Sequence, residues 1–330
     1  MAADPTKTHV VKSFAHTSPL LACRFDPAGK LIFAGSEDSK VLRWDIATGT
    51  KTELAGHSSW VRSIGFSPNG ETLVTGGYDG RLIWWPAAAE KPAPARTIDA
   101  HAGWIRALSV SPDGQLIATA GNDNKVKLWR MDDGSLVREL IGHESNVYHV
   151  QFHPSGSALV SNDLKSQHIH WEVATGEAKR KFAIPALHKY DGSFMADIGG
   201  AHSMAFSRDG KMLAVGGITN VSNAFAGVGN PAIVLWDWDN AKELVMHQSK
   251  GKVQGAMWGA AVHPDGFTIG GSGGGGGGHL FFWKFDQKDE FHTLNVGNMI
   301  RDLAVHPDGI QLATAHYDKQ LRLLAMAPKA

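Results

Sequence analysis

Apolar and polar residues alternate in short runs along almost the whole chain, and glycine, proline, asparagine or aspartate closes each run. Trp104 to Val110, Leu116 to Thr119, Val126 to Trp129 and Leu136 to Leu140 are one such set, separated by polar turns at Pro112-Asp113-Gly114, Gly121 to Asn124 and Asp133-Gly134. Alternation puts every second side chain on the same face, which is the pattern of a half-buried β-strand. No helical periodicity of useful length competes with it, because turns interrupt roughly every ten residues. The set of four runs recurs. A turn phrase ending in glycine appears at Asp26 to Gly29, Ser67 to Gly70, Ser111 to Gly114, His153 to Gly156, Ser207 to Gly210, His263 to Gly266 and His306 to Gly309. The steps between these glycines are 41, 44, 42, 54, 56 and 43 residues, so the chain is a repeat array with two enlarged members.

Four antiparallel strands expose apolar side chains on both faces of their sheet, and one such sheet cannot cover itself. Radial packing of seven sheets covers nearly all of them. The expected fold is therefore all-β, a seven-bladed β-propeller of four-stranded antiparallel sheets occupying residues 1–330 as a single domain. Composition narrows the functional classes. Lys+Arg and Asp+Glu both total 32, so nothing points to a general nucleic-acid or membrane-surface binder. Cys23 is the only cysteine, which excludes an intrachain disulfide and a cysteine-rich metal site. Residues 1–12 lack an apolar core of secretory-signal length, and a soluble cytoplasmic protein is the default expectation.

The tryptophans carry a family resemblance. Trp44-Asp45 and Trp236-Asp237 have equivalents at Trp85, Trp129, Trp171 and Trp283, with Gly56-His57 and Gly142-His143 upstream. His16 to Trp44, His57 to Trp85, His101 to Trp129 and His143 to Trp171 are each 28 residues apart. This resembles the WD-repeat β-propeller family over essentially the whole chain. The resemblance implies a buried tetrad of His, Ser/Thr, Asp and Trp in each blade: His57, Thr75, Asp79 and Trp85 in the second repeat, and His101, Thr119, Asp123 and Trp129 in the third. The first repeat has Ala34 at the hydroxyl position and the fourth has Lys165 at the aspartate position. The fifth and sixth keep only Trp236 and Trp283 clearly, and the seventh has Thr314 and Asp318 with Leu324 in place of tryptophan. A His-Ser/Thr-Asp set also imitates a hydrolase triad, but its recurrence at a structural spacing marks it as scaffold.

After Leu324 too few residues remain for an outer strand, whereas residues 1–14 contain a strand-like run without a blade. The N-terminal strand is expected to close the seventh blade, leaving no open edge. Departures from the repeat length fall in residues 184–200, 219–231 and the run Gly270 to Gly278. By the family's topology all three lie on one face, where insertions often mark a binding surface. The glycine run lacks the lysine and helix of a phosphate cradle and reads as a mobile turn.

Register places Arg62, Arg106, Tyr148, His202, Trp258 and Arg301 at the starts of innermost strands, with Trp60 and Trp104 two residues earlier and Tyr78 and Tyr317 in neighbouring turns. By family geometry these line the top of the central channel. Arginine forks pair with carboxylate or phosphate, and Trp and Tyr anchor interfaces. The expected function is a non-catalytic interaction scaffold that binds a protein or an acidic or phosphorylated peptide, with no cofactor and no metal. A rival reading is a small-molecule receptor or enzyme under the insertions, with His188, Asp191, Asp197 and His202 as its polar groups. A third is a passive structural subunit. Nucleic acid ranks lower, since no extended basic track is present.

Overall fold

The computed structural model describes residues 2–223 and 228–329. The architecture is all-β, with seven four-stranded antiparallel sheets, the strand organisation of a seven-bladed β-propeller. The turn phrase joins two neighbouring strands of each sheet. In all seven phrases the glycine N–H donates to the carbonyl three residues earlier, and the glycine takes a φ between 67° and 88°, a left-handed conformation that glycine adopts without steric cost. The hydrophobic alternation then pairs the flanking runs. The second sheet, Val61–Phe66, Thr72–Gly77, Arg81–Pro86 and Arg96–Asp99, is representative.

The chain divides into two compact units. One, residues 16–163 with 168–182, carries the first four sheets. Its core lies between successive sheets: Phe33, Val41 and Leu54 of the first pack with Ile64, Leu73 and Trp85 of the second. Arginines tie successive sheets together. Arg43 Nη1 donates to the carbonyls of Ala87 and Ala89 at 2.8 Å each, Arg96 Nη1 to that of Asp132 at 2.6 Å, and Arg138 Nη2 to that of Ala174 at 3.1 Å. Each arginine reaches the segment just beyond the tryptophan-bearing strand of the next sheet. Arg43 is buried, and that burial lowers its pKa. Arg43→Met keeps the aliphatic stem but orphans two carbonyls, and urea denaturation is expected to show a loss of about 2 kcal/mol. An unchanged midpoint would mean that the clasp contributes nothing.

The other unit, residues 1–15, 164–167 and 183–330, holds the fifth, sixth and seventh sheets. Thr8–Ala15 pairs antiparallel with Gln320–Met326, from Thr8 opposite Met326 to Ala15 opposite Gln320, with a bulge at Val11. The N-terminal strand is thus the outer strand of the seventh sheet, as expected from the strand-like run near the N-terminus. The insertions extend the strand pattern. Residues 188–191 and 196–199 form a separate hairpin, and Met212–Asn223 and Val228–Asp237 lengthen the central hairpin of the fifth sheet. Phe225, one residue of the second insertion, lies outside the described residues. The glycine run owes its composition to close backbone approach: a Cβ on Gly274 would lie 2.4 Å from Gly255 Cα, and one on Gly278 would lie 2.0 Å from the Asn298 carbonyl.

Two histidines of this unit are buried in a neutral form. His247 Nδ1 donates to the Gln287 carbonyl and its Nε2 accepts from Thr268, while His316 Nδ1 donates to the Asn298 carbonyl and its Nε2 accepts from Thr314. Burial pushes both pKa values down to about 4 from 6.5. The unfolded chain therefore takes up these protons first. Their contribution is complete above pH 6.5 and is lost as pH falls toward 4, by roughly 1–3 kcal/mol for each histidine. Thermal unfolding should begin to drop below pH 6.5, with both imidazoles still neutral at pH 5.5 by NMR. A melting temperature constant from pH 7 to 4.5 would contradict this.

Candidate functional site

The tetrads come first, because they fix the ends of the strands that carry the site. In the second sheet Trp85 Nε1 donates to Thr75 Oγ1 at 2.9 Å, Thr75 meets His57 Nε2 at 2.8 Å, and His57 Nδ1 meets the Asp79 carboxylate at 3.0 Å. One tautomer satisfies the whole chain: indole to hydroxyl, hydroxyl to imidazole, imidazole to carboxylate. The third sheet repeats it, with Trp129 to Thr119 at 2.9 Å, Thr119 to His101 at 2.7 Å and His101 to Asp123 at 2.8 Å. Burial raises the Asp79 and Asp123 carboxyls, but the histidine and backbone hydrogen bonds outweigh it and leave both below the ordinary value. Burial lowers His101 despite Asp123 beside it.

The degraded repeats differ from expectation. In the fourth, Asp163 and not the residue at position 165 supplies the carboxylate, 3.0 Å from His143 Nδ1, and Ser161 bridges His143 and Trp171. Lys165 instead approaches Asp197 at 3.9 Å. In the sixth, His247 from the outer strand of the fifth sheet meets Thr268 and stacks on Trp283 at 5.3 Å. In the seventh, Thr314 bonds His316, and Asp318 takes a two-point ion pair with Arg322. In the first, His16 turns Nε2 to Asp38 at 3.0 Å, since Ala34 offers no hydroxyl.

At the ends of the second and third sheets the same register repeats: Tyr78 N–H donates to the Trp60 carbonyl and Asn122 N–H to the Trp104 carbonyl. This common geometry brings side chains of the two sheets into one ladder. The Trp60 and Tyr78 rings stack at 5.7 Å, and Tyr78 and Trp104 at 4.4 Å with their planes 1° apart. Arg106 continues the ladder, its guanidinium 5.3 Å from the Trp104 ring and 4.1 Å from that of Tyr148 in the fourth sheet. Asn122 Oδ1 accepts from Arg106 Nε at 2.6 Å. Trp60 is 40% exposed and Trp104 44%, so the ladder faces solvent. Burial raises the Tyr148 phenol, against the pull of Arg106. Arg62 points to the first sheet instead, where its Nη1 donates to the Leu21 carbonyl at 2.8 Å.

In the other unit Trp258 stacks on His202 at 4.3 Å and lies under the Arg301 guanidinium, 4.4 Å from its ring, with Trp258 Nε1 donating to the Gly273 carbonyl. Tyr317 is exposed, and its N–H donates to the Met299 carbonyl. Of the residues considered for a pocket under the insertions, His188 pairs with Asp197 at 2.8 Å within the hairpin, and Asp191 accepts from the Ser193 N–H in its own turn. His202 is part of the Trp258 stack. Among the described residues no helix is long and apolar enough to cross a membrane.

The WD domain, G-beta repeat family matches residues 8–45, 49–86, 92–130, 134–166 and 289–323, more than half of the chain. The unmatched stretch contains the fifth sheet and the first three strands of the sixth, where the insertions fall and where the tetrads depart most from the pattern. A bromodomain and WD repeat-containing protein of Dictyostelium discoideum is 26% identical over 196 residues, an alignment that takes in 56% of this chain and 8% of that protein. With its seven four-stranded sheets, its tetrads and these matched repeats, the chain belongs to the WD-repeat family.

Proposed function

We propose that this protein is a non-catalytic interaction scaffold whose docking surface is the Trp60, Tyr78, Trp104, Arg106 and Tyr148 ladder, and that its ligand is an acidic or phosphorylated segment of a partner protein. The family's common role as an interaction platform supports the general reading. The observation that carries the specific one is Arg106, a guanidinium 5.3 Å from the ring of the exposed Trp104 and 4.1 Å from that of Tyr148, on a ladder whose other end is the exposed Trp60. Its one hydrogen bond uses Nε, so both Nη groups remain for a ligand. Aromatic and arginine side chains are the residue types that dominate interface energetics, and here they are fixed in place before a partner arrives.

A random peptide display library panned against the wild-type protein is expected to enrich sequences with acidic residues. Panning against the Trp60→Ala, Arg106→Ala double variant should not enrich them. Equal enrichment by both proteins, or enrichment of uncharged sequences, would overturn the assignment. The His202, Trp258 and Arg301 stack in the other unit is a second place where an arginine lies on an indole. Its substitution is the natural comparison in the same experiment.

A further inference from the structure

Resting on the docking reading above, we propose that the group received by Arg106 is a carboxylate and not a phosphate, carried by an extended segment that seats a planar apolar side chain on Trp60. The donors left on the guanidinium point to a carboxylate first. Its Cζ lies 5.3 Å from the Trp104 ring and 4.1 Å from that of Tyr148, and Asn122 occupies Nε, so what remains is the pair of Nη donors. Two parallel N–H groups in one plane match the two oxygens of a carboxylate. This chain contains that geometry elsewhere, where Arg322 Nη1 and Nη2 each meet one oxygen of Asp318. Other arginines have their Nη groups engaged: Arg43, Arg62, Arg96 and Arg138 each donate one to a backbone carbonyl. Arg106 makes no such bond among the described residues.

Charge is the second argument. A phosphoserine carries close to two negative charges and three acceptor oxygens at neutral pH, which calls for more than one guanidinium. Arg62, the equivalent residue of the second sheet, is turned to Leu21. A single fork therefore balances a carboxylate and leaves a phosphate partly uncompensated against aromatic surface.

Length sets the span of the segment. The ring-to-ring steps of 5.7 and 4.4 Å and the 5.3 Å step to Arg106 put the guanidinium within about 15 Å of Trp60. An extended chain covers that in about four to five residues. Trp60 ends the ladder, so its outer face is where a proline or aromatic side chain would stack.

Fluorescence polarisation with labelled hexapeptides tests this, with Glu at one end and Phe at the other, in both orders. Glutamine or phosphoserine replaces Glu, and alanine replaces Phe, in the comparison peptides. For one of the two orders the Glu peptide should bind saturably, the Gln peptide about tenfold more weakly or worse, the Ala peptide more weakly, and phosphoserine no more tightly than Glu. Arg106→Lys keeps the charge without the fork and should lose at least about tenfold, with an unchanged melting temperature. Asn122→Ala, which frees Nε, should lose affinity in the same direction. Phosphoserine binding tenfold more tightly than Glu, or full affinity in Arg106→Lys, would overturn the carboxylate assignment while leaving the docking surface standing. Failure of every acidic and phosphorylated peptide to bind would remove the docking surface itself.

Discussion

Removal of residues 1–15 is expected to be the most damaging change short of the core. Thr8–Ala15 is the outer strand of the seventh sheet, and its loss strips the paired backbone from Gln320–Met326. It also takes away the buried ring of Phe14, worth roughly 1.5–3 kcal/mol alone, and a run of ladder hydrogen bonds at about 1 kcal/mol net for each. The strand left behind, Leu321, Leu323 and Leu324 among its residues, is apolar and flanked by an open edge. Such an edge templates pairing with another chain. The truncated protein should therefore lose at least about 4 kcal/mol and aggregate, measured as a lowered denaturant midpoint and as high-mass species in light scattering. A truncation that unfolds like the full chain and stays monodisperse would remove the N-terminal strand from the account of stability.

Thr75→Val should be the most damaging single substitution of those considered. It is nearly isosteric and leaves the packing of Leu73 and Trp85 in place, but it removes the one hydroxyl that both accepts from the indole and donates to the imidazole. Trp85 Nε1 and His57 Nε2 then sit buried without partners, at about 1–3 kcal/mol for each. A loss of about 2–5 kcal/mol in chemical denaturation is expected. Thr75→Ser, which keeps the hydroxyl, should recover most of it. Equal effects of Val and Ser would mean that packing, not the hydrogen-bond chain, sets the stability of the second sheet.

The contrast between repeats explains what could be read from the amino acids and what could not. The tetrads of the second and third sheets were legible because each member recurs at a fixed distance from a turn that the chain also repeats. Asp163 was not, because the chemistry asks only for a carboxylate oxygen near His143 Nδ1 and an aspartate at the end of the strand reaches it as well as one in the turn. His247 escaped for a related reason. It serves the sixth sheet from the outer strand of the fifth, at a separation from Trp283 that differs from the 28 residues of the regular repeats.

The ladder was legible as a set of positions. Register alone puts Trp60, Arg106 and Tyr148 at strand starts and Tyr78 in a turn. That the rings stack, that Asn122 takes Nε of Arg106, and that Arg62 turns away to Leu21 depend on how the ends of neighbouring sheets meet, which no spacing encodes. The interlocking arginines are in the same position. Arg96 and Arg138 share a place on the outer strand, opposite Trp84 and Leu128, but Arg43 reaches its carbonyls from the strand that carries Trp44, so no single spacing marks the set.

Indole resonances give the most direct test of the central claim. Trp60 and Trp104 are exposed on the ladder, whereas Trp44, Trp84, Trp85, Trp129 and Trp171 are buried in the same unit. During titration with an acidic peptide, the Nε1–H signals of Trp60 and Trp104 should shift together and saturably, while those of the five buried indoles stay in place, and Arg106→Ala should abolish the shifts. Binding that leaves Trp60 and Trp104 unmoved, or that persists in Arg106→Ala, would place the docking surface elsewhere on the protein.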